Sequence, residues 1–164
     1  MKKMKFLPLL LGLTVLMFGC SAFNSMPTAD EAQKTFNENY AHIQTVVSYM
    51  VSEPYEKICI DDTSGTMYAD FSDRDIENSS VVAAVDYLFN TAGYMYIYMS
   101  GNTIYLQQWR SVHERDCGVA YSINGIDEPD VQYMTECVPL AEPGWYYCVV
   151  DYNLWRVEQD TKSE

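Results

Sequence analysis

The stretch "YMYIYMSGNTIYLQQWR", residues 94–110, decides how the chain folds. Its hydrophobic period is two. Tyr94, Tyr96 and Tyr98 project to one side of an extended chain, and Met95, Ile97 and Met99 to the other. "SGN" separates "YMYIYM" from "TIYLQQWR", which predicts a β-hairpin. The same period continues towards the C-terminus. "CGVAYSI" (117–123) reads as a strand ended by Asn124-Gly125. "VQYMTECV" (131–138) and "GWYYCVV" (144–150) flank "PLAEP" as a second hairpin, and "YNLWRV" (152–157) is placed to close the sheet.

Before residue 94 the pattern is mixed. Thr28 and Glu31 form a capping box, and Phe36, Tyr40, Ile43, Val47 and Met50 recur on one helical face. Pro54 stops that helix, because the residue before a proline disfavours helical backbone. "YEKICID" (55–61) and "TMYADF" (66–71) read as two strands joined by the turn "DDTSG". A second helix is predicted from about Ser79 to Thr91, with Val81, Val82, Val85, Leu88 and Phe89 on one face and Gly93 as its stop. The acidic stretch "DFSDRDIEN" (70–78) reads as a solvated turn whose charges favour that helix's N-terminus. The expectation is an α+β domain: one antiparallel sheet of about five to seven strands with two helices packed on one face.

The chain has 164 residues and a formal net charge of −13. Without the first twenty residues, seven basic side chains face all 23 acids, a net charge of −16. Such a surface repels phosphate backbones, so no nucleic-acid partner is expected. It also repels anionic membrane surfaces, so membrane contact requires an anchor. Solubility through self-repulsion accounts for the charge; a basic partner or divalent cations would also exploit it.

Residues 1–5, "MKKMK", are basic, and residues 6–18, "FLPLLLGLTVLMF", are apolar throughout. Thirteen apolar residues suit a secretory signal and are short for a bilayer span of about 20. Gly19 and Cys20 follow. On those residues the segment resembles the precursors of bacterial lipoproteins, whose cleavage box ends in a small residue before a lipid-bearing cysteine. Met17 and Phe18 depart from that box. The resemblance implies lipidation of Cys20, cleavage before it and anchoring on the outer face of the cell membrane. The rivals are a retained transmembrane anchor and plain secretion with cleavage after Ala22. "GVAYSINGIDEPDVQYMTECVPLAEPGWYYCVVDYNLWR" (118–156) is similar to a segment of small lipoproteins of Gram-positive gut bacteria, a pattern without an assigned activity. The expected organisation is a signal peptide at 1–19, a lipid-anchored tether at 20–27, one α+β domain at 28–158 and a polar tail at 159–164.

With Cys20 as anchor, Cys59, Cys117, Cys137 and Cys148 remain. The second hairpin sets Cys137 opposite Cys148, which suggests a disulfide and leaves Cys59–Cys117 as the other pair. Four buried thiols behaving as small hydrophobes is the competing reading. No C-x2-C spacing occurs, and His42 and His113 are 71 residues apart, so no zinc site is expected. His113 and Cys117 are close in sequence without any signature of an activated thiol. Asp73, Asp75 and Glu77 alternate as a calcium loop begins, but the glycine and distal glutamate are missing. Asp61 and Asp62 imply no shared carboxylate geometry. No phosphate-binding, dinucleotide, zinc-protease or nucleophile-elbow motif occurs. No catalytic residue, metal or cofactor is expected.

The aromatics are the distinctive feature. Tyr94, Tyr96 and Tyr98 form a row, with Trp145 and Tyr147 as neighbours; Tyr146, Tyr152 and Trp155 add to the set. An open aromatic row binds sugars, peptides or proteins, whereas a covered one merely stabilises a sheet by cross-strand pairing. The chain is expected to be a non-enzymatic binding or accessory module at the cell surface, with a cell-wall, glycan or protein partner. An inhibitor or immunity-like module acting on a basic partner is the alternative, and a small hydrolase the third.

Overall fold

The computed structural model describes residues 25–111, 114–154 and 158. Cys20, His113 and Trp155 lie outside the described residues, as do the signal segment and the polar tail. The element order is α1 (Ala29–Ser52), β1 (Lys57–Ile60), β2 (Thr66–Ala69), β3 (Ser72–Asp75), α2 (Ser79–Asn90), β4 (Tyr96–Ser100), β5 (Thr103–Arg110), β6 (Arg115–Ser122), β7 (Met134–Pro139) and β8 (Trp145–Asp151). The strands form one antiparallel sheet in the order β3-β2-β1-β4-β5-β6-β8-β7.

The sheet has eight strands, not five to seven. An unexpected one is β3, inside the stretch read as a solvated turn, whereas the closing strand expected at 152–157 does not form: the chain turns at Tyr152 and is helical at Asn153 and Leu154, and 155–157 lie outside the described residues. Asp70 and Phe71 both adopt left-handed backbone, at φ 45° and 69°, and fold Ser72–Asp75 back along β2. Charge on an edge strand blocks pairing with other chains, so a polar run can be strand. Asn78, not an acid, caps α2: its side chain accepts from the Ser80 N–H at 3.0 Å, and no acid lies in the first turn.

The capping box of α1 is present. The Thr28 N–H donates to Glu31 at 2.8 Å and the Glu31 N–H donates to Thr28 at 3.3 Å. Phe36, Ile43, Val47 and Met50 are buried along it as the spacing predicts, while Tyr40 is exposed. His42 stacks on Tyr87 of α2 with ring centroids 4.0 Å apart, a structural contact between the helices.

One cluster of buried side chains draws on both helices and on alternate strand positions, Ile58 and Ile60, Ile97 and Met99, Ile104 and Leu106. A second cluster uses the other set of positions, centred on Tyr105, Ala120, Cys148 and Val150, and is joined by Val131 from the long β6–β7 connection.

Candidate functional site

The tyrosines divide where the strand begins. β4 starts at Tyr96, and Tyr94 still belongs to the end of α2: its N–H donates to the Leu88 carbonyl at 2.9 Å, after Gly93 turns the chain at φ 80°. Tyr94 therefore enters the main core and is 1% exposed, while Met95 faces solvent. The open row of three is corrected to a pair, Tyr96 and Tyr98, both half-buried. Trp145, 2% exposed, packs on Phe36 of α1 at 4.7 Å and on Tyr121 at 4.9 Å. Tyr147, also 2% exposed, clusters with Ala32 of α1 and donates its hydroxyl to the Pro27 carbonyl at 2.6 Å. Both alternate with Cys148, which belongs to the second cluster with Tyr98, so neither neighbours the tyrosine pair.

Strand pairing brings other aromatics to Tyr98. Across the sheet it lies opposite Cys59 on β1 and Tyr105 on β5, and Cys59 in turn lies opposite Tyr68 on β2. The Tyr96 and Tyr98 rings sit 5.8 Å apart at 49°, and Tyr98 and Tyr105 are 5.6 Å apart at 58°. A groove of about 300 Å³ opens beside them, lined by Tyr68, Phe71, Tyr96, Tyr98 and Cys59. Lys57 and Asp70 supply its charges. Tyr68 is 49% exposed and Phe71 88%.

Phe71 carries two costs at once. A two-residue hairpin with both residues at positive φ favours Asp-Gly or Asn-Gly, and a side chain in the left-handed region costs roughly 1–2 kcal/mol. The ring is also almost wholly in water. Backbone held against its preference recurs where a side chain is presented for a purpose.

Behind the tyrosines lies a buried carboxylate. Asp116 on β6 accepts from the Tyr105 hydroxyl at 2.8 Å and from the Gln107 amide at 2.5 Å. Tyr152 hydrogen-bonds to it as well, and Arg110 stands over the Tyr152 ring at 6.0 Å. Burial outweighs these partners and holds the Asp116 carboxyl above its ordinary value. Burial likewise raises the Tyr96 and Tyr98 hydroxyls; Tyr96 is also hydrogen-bonded to Cys59.

None of the four described thiols is poised as a nucleophile. Burial raises each of them, Cys117 to about 12, so the reactive thiolate is scarce at neutral pH. The acids of residues 73–77 line a separate concavity with Glu53 and Arg74. Among the described residues, no three His, Cys, Asp or Glu side chains are placed to hold a metal ion.

Sequence reasoning passed over Tyr68, Phe71, Tyr105, Gln107 and Asp116. The signal for Phe71 was local: a bulky apolar residue following Asp where a hairpin wants glycine. The Asp116 network depends on which strands are neighbours. No family model, curated protein or solved structure matches the chain.

Proposed function

We propose that this chain is an exported, lipid-anchored, non-enzymatic binding module on the outer face of the cytoplasmic membrane. Its ligand site is the groove of Tyr68, Phe71, Tyr96 and Tyr98. In this reading both helices cover one face of the sheet and leave the opposite face to the partner. The single cluster shared by α1, α2 and alternate strand positions supports that layout. The observation that carries the proposal is Phe71, exposed beside the groove on backbone that disfavours it.

The occupant is an apolar side chain on a basic segment of a partner protein. Charge favours it, since the chain is strongly acidic and Asp61 and Asp70 near the groove outnumber Lys57 in its lining. Aromatic faces attract the flanking cations directly. The groove wall is mainly apolar, with four rings beside Ile58, Cys59 and Met99, and Lys57, Asp70 and Ser100 as its polar members, a lining that suits an apolar side chain.

The probe is a pair of peptide sets, each with a central Trp or Leu, flanked in one set by Lys and Arg and in the other by Glu. Basic-flanked peptides are expected to bind, to shift the resonances of Tyr68, Tyr96 and Tyr98, and to weaken with salt; Phe71→Ala is expected to lower affinity tenfold or more. Equal binding of both sets, or soluble wall glycans shifting the same tyrosines in place of the peptides, would overturn the occupant. Anchoring is tested separately by fatty-acid labelling in a Gram-positive host. Label should be lost in Cys20→Ala, and equal label in both chains contradicts the anchor.

The acidic concavity around Glu53, Asp73, Asp75 and Glu77, about 700 Å³, favours a second reading, an inhibitor or immunity-like module that grips a basic partner there. Binding that survives Phe71→Ala and disappears in Asp73→Lys/Asp75→Lys would select it.

A further inference from the structure

Cys137 and Cys148 are directly opposite one another on β7 and β8. Cys148 is buried in the second cluster, and Cys137 is half-buried against it. The two thiols are hydrogen-bonded to each other. Among the described residues, the other two cysteines have no such thiol partner within reach. Cys59 on β1 and Cys117 on β6 are separated by β4 and β5, so three strand spacings, roughly 14 Å, lie between them. They also belong to opposite faces: Cys59 pairs with Tyr98, whereas Cys117 clusters with Ala32 and Tyr147. A disulfide requires Cα atoms within about 7 Å, so the expected Cys59–Cys117 bridge is excluded. Cys117 and Cys148 lie on neighbouring strands but project to opposite faces.

We propose that Cys137 and Cys148 form the one disulfide of the described domain, a cross-strand staple that fastens the edge strand β7 to β8. Directly opposed residues have Cβ atoms about 4.5–5.5 Å apart, and a disulfide needs roughly 3.5–4.5 Å. β7 can supply the difference. It is the last strand of the sheet, with one neighbour, and its register already breaks between Met134 and Glu136. Residues 138–147 close the ring. In the reaction the two S–H bonds break, one S–S bond forms, and two protons and two electrons leave. A second disulfide accepts them and is cleaved to two thiols. Outside the cell that acceptor is a thiol–disulfide oxidoreductase; in the test it is oxidised glutathione. Oxidation in the cell rests on the exported reading above, whereas the pairing rests on strand register alone.

The test has two arms. The folded full-length chain is incubated with oxidised glutathione, blocked with an alkylating reagent and digested. The expected product is a Cys137–Cys148 peptide, with Cys59 and Cys117 alkylated, and unfolding at higher denaturant that a dithiol reverses. Cys137→Ser and Cys148→Ser should each abolish the product and the shift. Mixed glutathione adducts at Cys137, or an unlinked pair in protein shown to be folded, would overturn the pairing. In the second arm the chain is recovered from its host with thiols trapped at once. A linked pair there supports both readings; a pair linked by glutathione but recovered as free thiols keeps the staple and overturns export.

Discussion

Tyr94 shows how a single side chain can be misassigned by a correct pattern. The alternation in "YMYIYM" is real from Tyr96 onward, but Gly93 and the hydrogen bond to Leu88 keep Tyr94 in the helix's closing turn. Its hydroxyl is buried without a hydrogen-bond partner among the described residues. Tyr94→Phe is therefore expected to leave stability unchanged or raise it by up to about 1 kcal/mol, because a buried unpaired hydroxyl is a cost. Chemical denaturation measures this; a loss above 1 kcal/mol would mean that the hydroxyl has a partner. Asp116 is the other residue whose setting decides its behaviour. Its folded carboxyl sits above the ordinary 3.8 because it is buried, so the folded chain holds that proton more tightly than the unfolded chain. Its contribution is full below the ordinary value and is lost as pH rises through the raised one. Asp116→Asn cannot titrate, so its stability should gain on the natural chain as pH rises across that window. Denaturation midpoints over a pH series check the sign, and parallel curves would refute it. Burial of Asp116 was not legible in the sequence, because its partners come from elsewhere in the chain: Tyr105 and Gln107 from β5, and Tyr152 from just after β8.

At the level of elements, local signals sufficed where the causes were local. The capping box at Thr28 and Glu31 and the spacing of Phe36 to Met50 place α1, and Gly93 marks the exit of α2. The β7–β8 register followed from "PLAEP" and set Cys137 against Cys148. β3 failed for a physical reason: an edge strand exposed on both sides carries no alternation, only charge, and Asp70-Phe71 is not a turn sequence that backbone preference would select. The join of β5 and β6 was equally hidden. Gly118 has no room for a side chain there, since a Cβ would meet the Leu106 carbonyl oxygen at 2.1 Å. The obstacle is backbone in the centre of the sheet, beside the register break at Gln107 and Trp109. Gly118→Ala is expected to destabilise by roughly 3 kcal/mol, the upper range for overpacking, and thermal unfolding measures it. A variant as stable as the natural chain would contradict that backbone approach.

For the whole molecule, the α+β class and the single antiparallel sheet were readable from period and order. The strand order was not, because β4 pairs with β1 across the intervening helix and β8 inserts between β6 and β7. That order makes the groove: it sets Tyr68, Cys59 and Tyr98 side by side from positions up to 39 residues apart. It also separates Trp145 and Tyr147 from them. The acidic balance then argues for what the groove receives.

The most direct measurement compares Phe71→Gly with the natural chain, for stability and for binding of the basic-flanked Trp peptide. Glycine suits the left-handed turn, so the account predicts a variant about 1 kcal/mol more stable that binds tenfold or more weakly. Stability gained with binding intact would show that Phe71 is not presented to a ligand and would contradict the groove as the binding site.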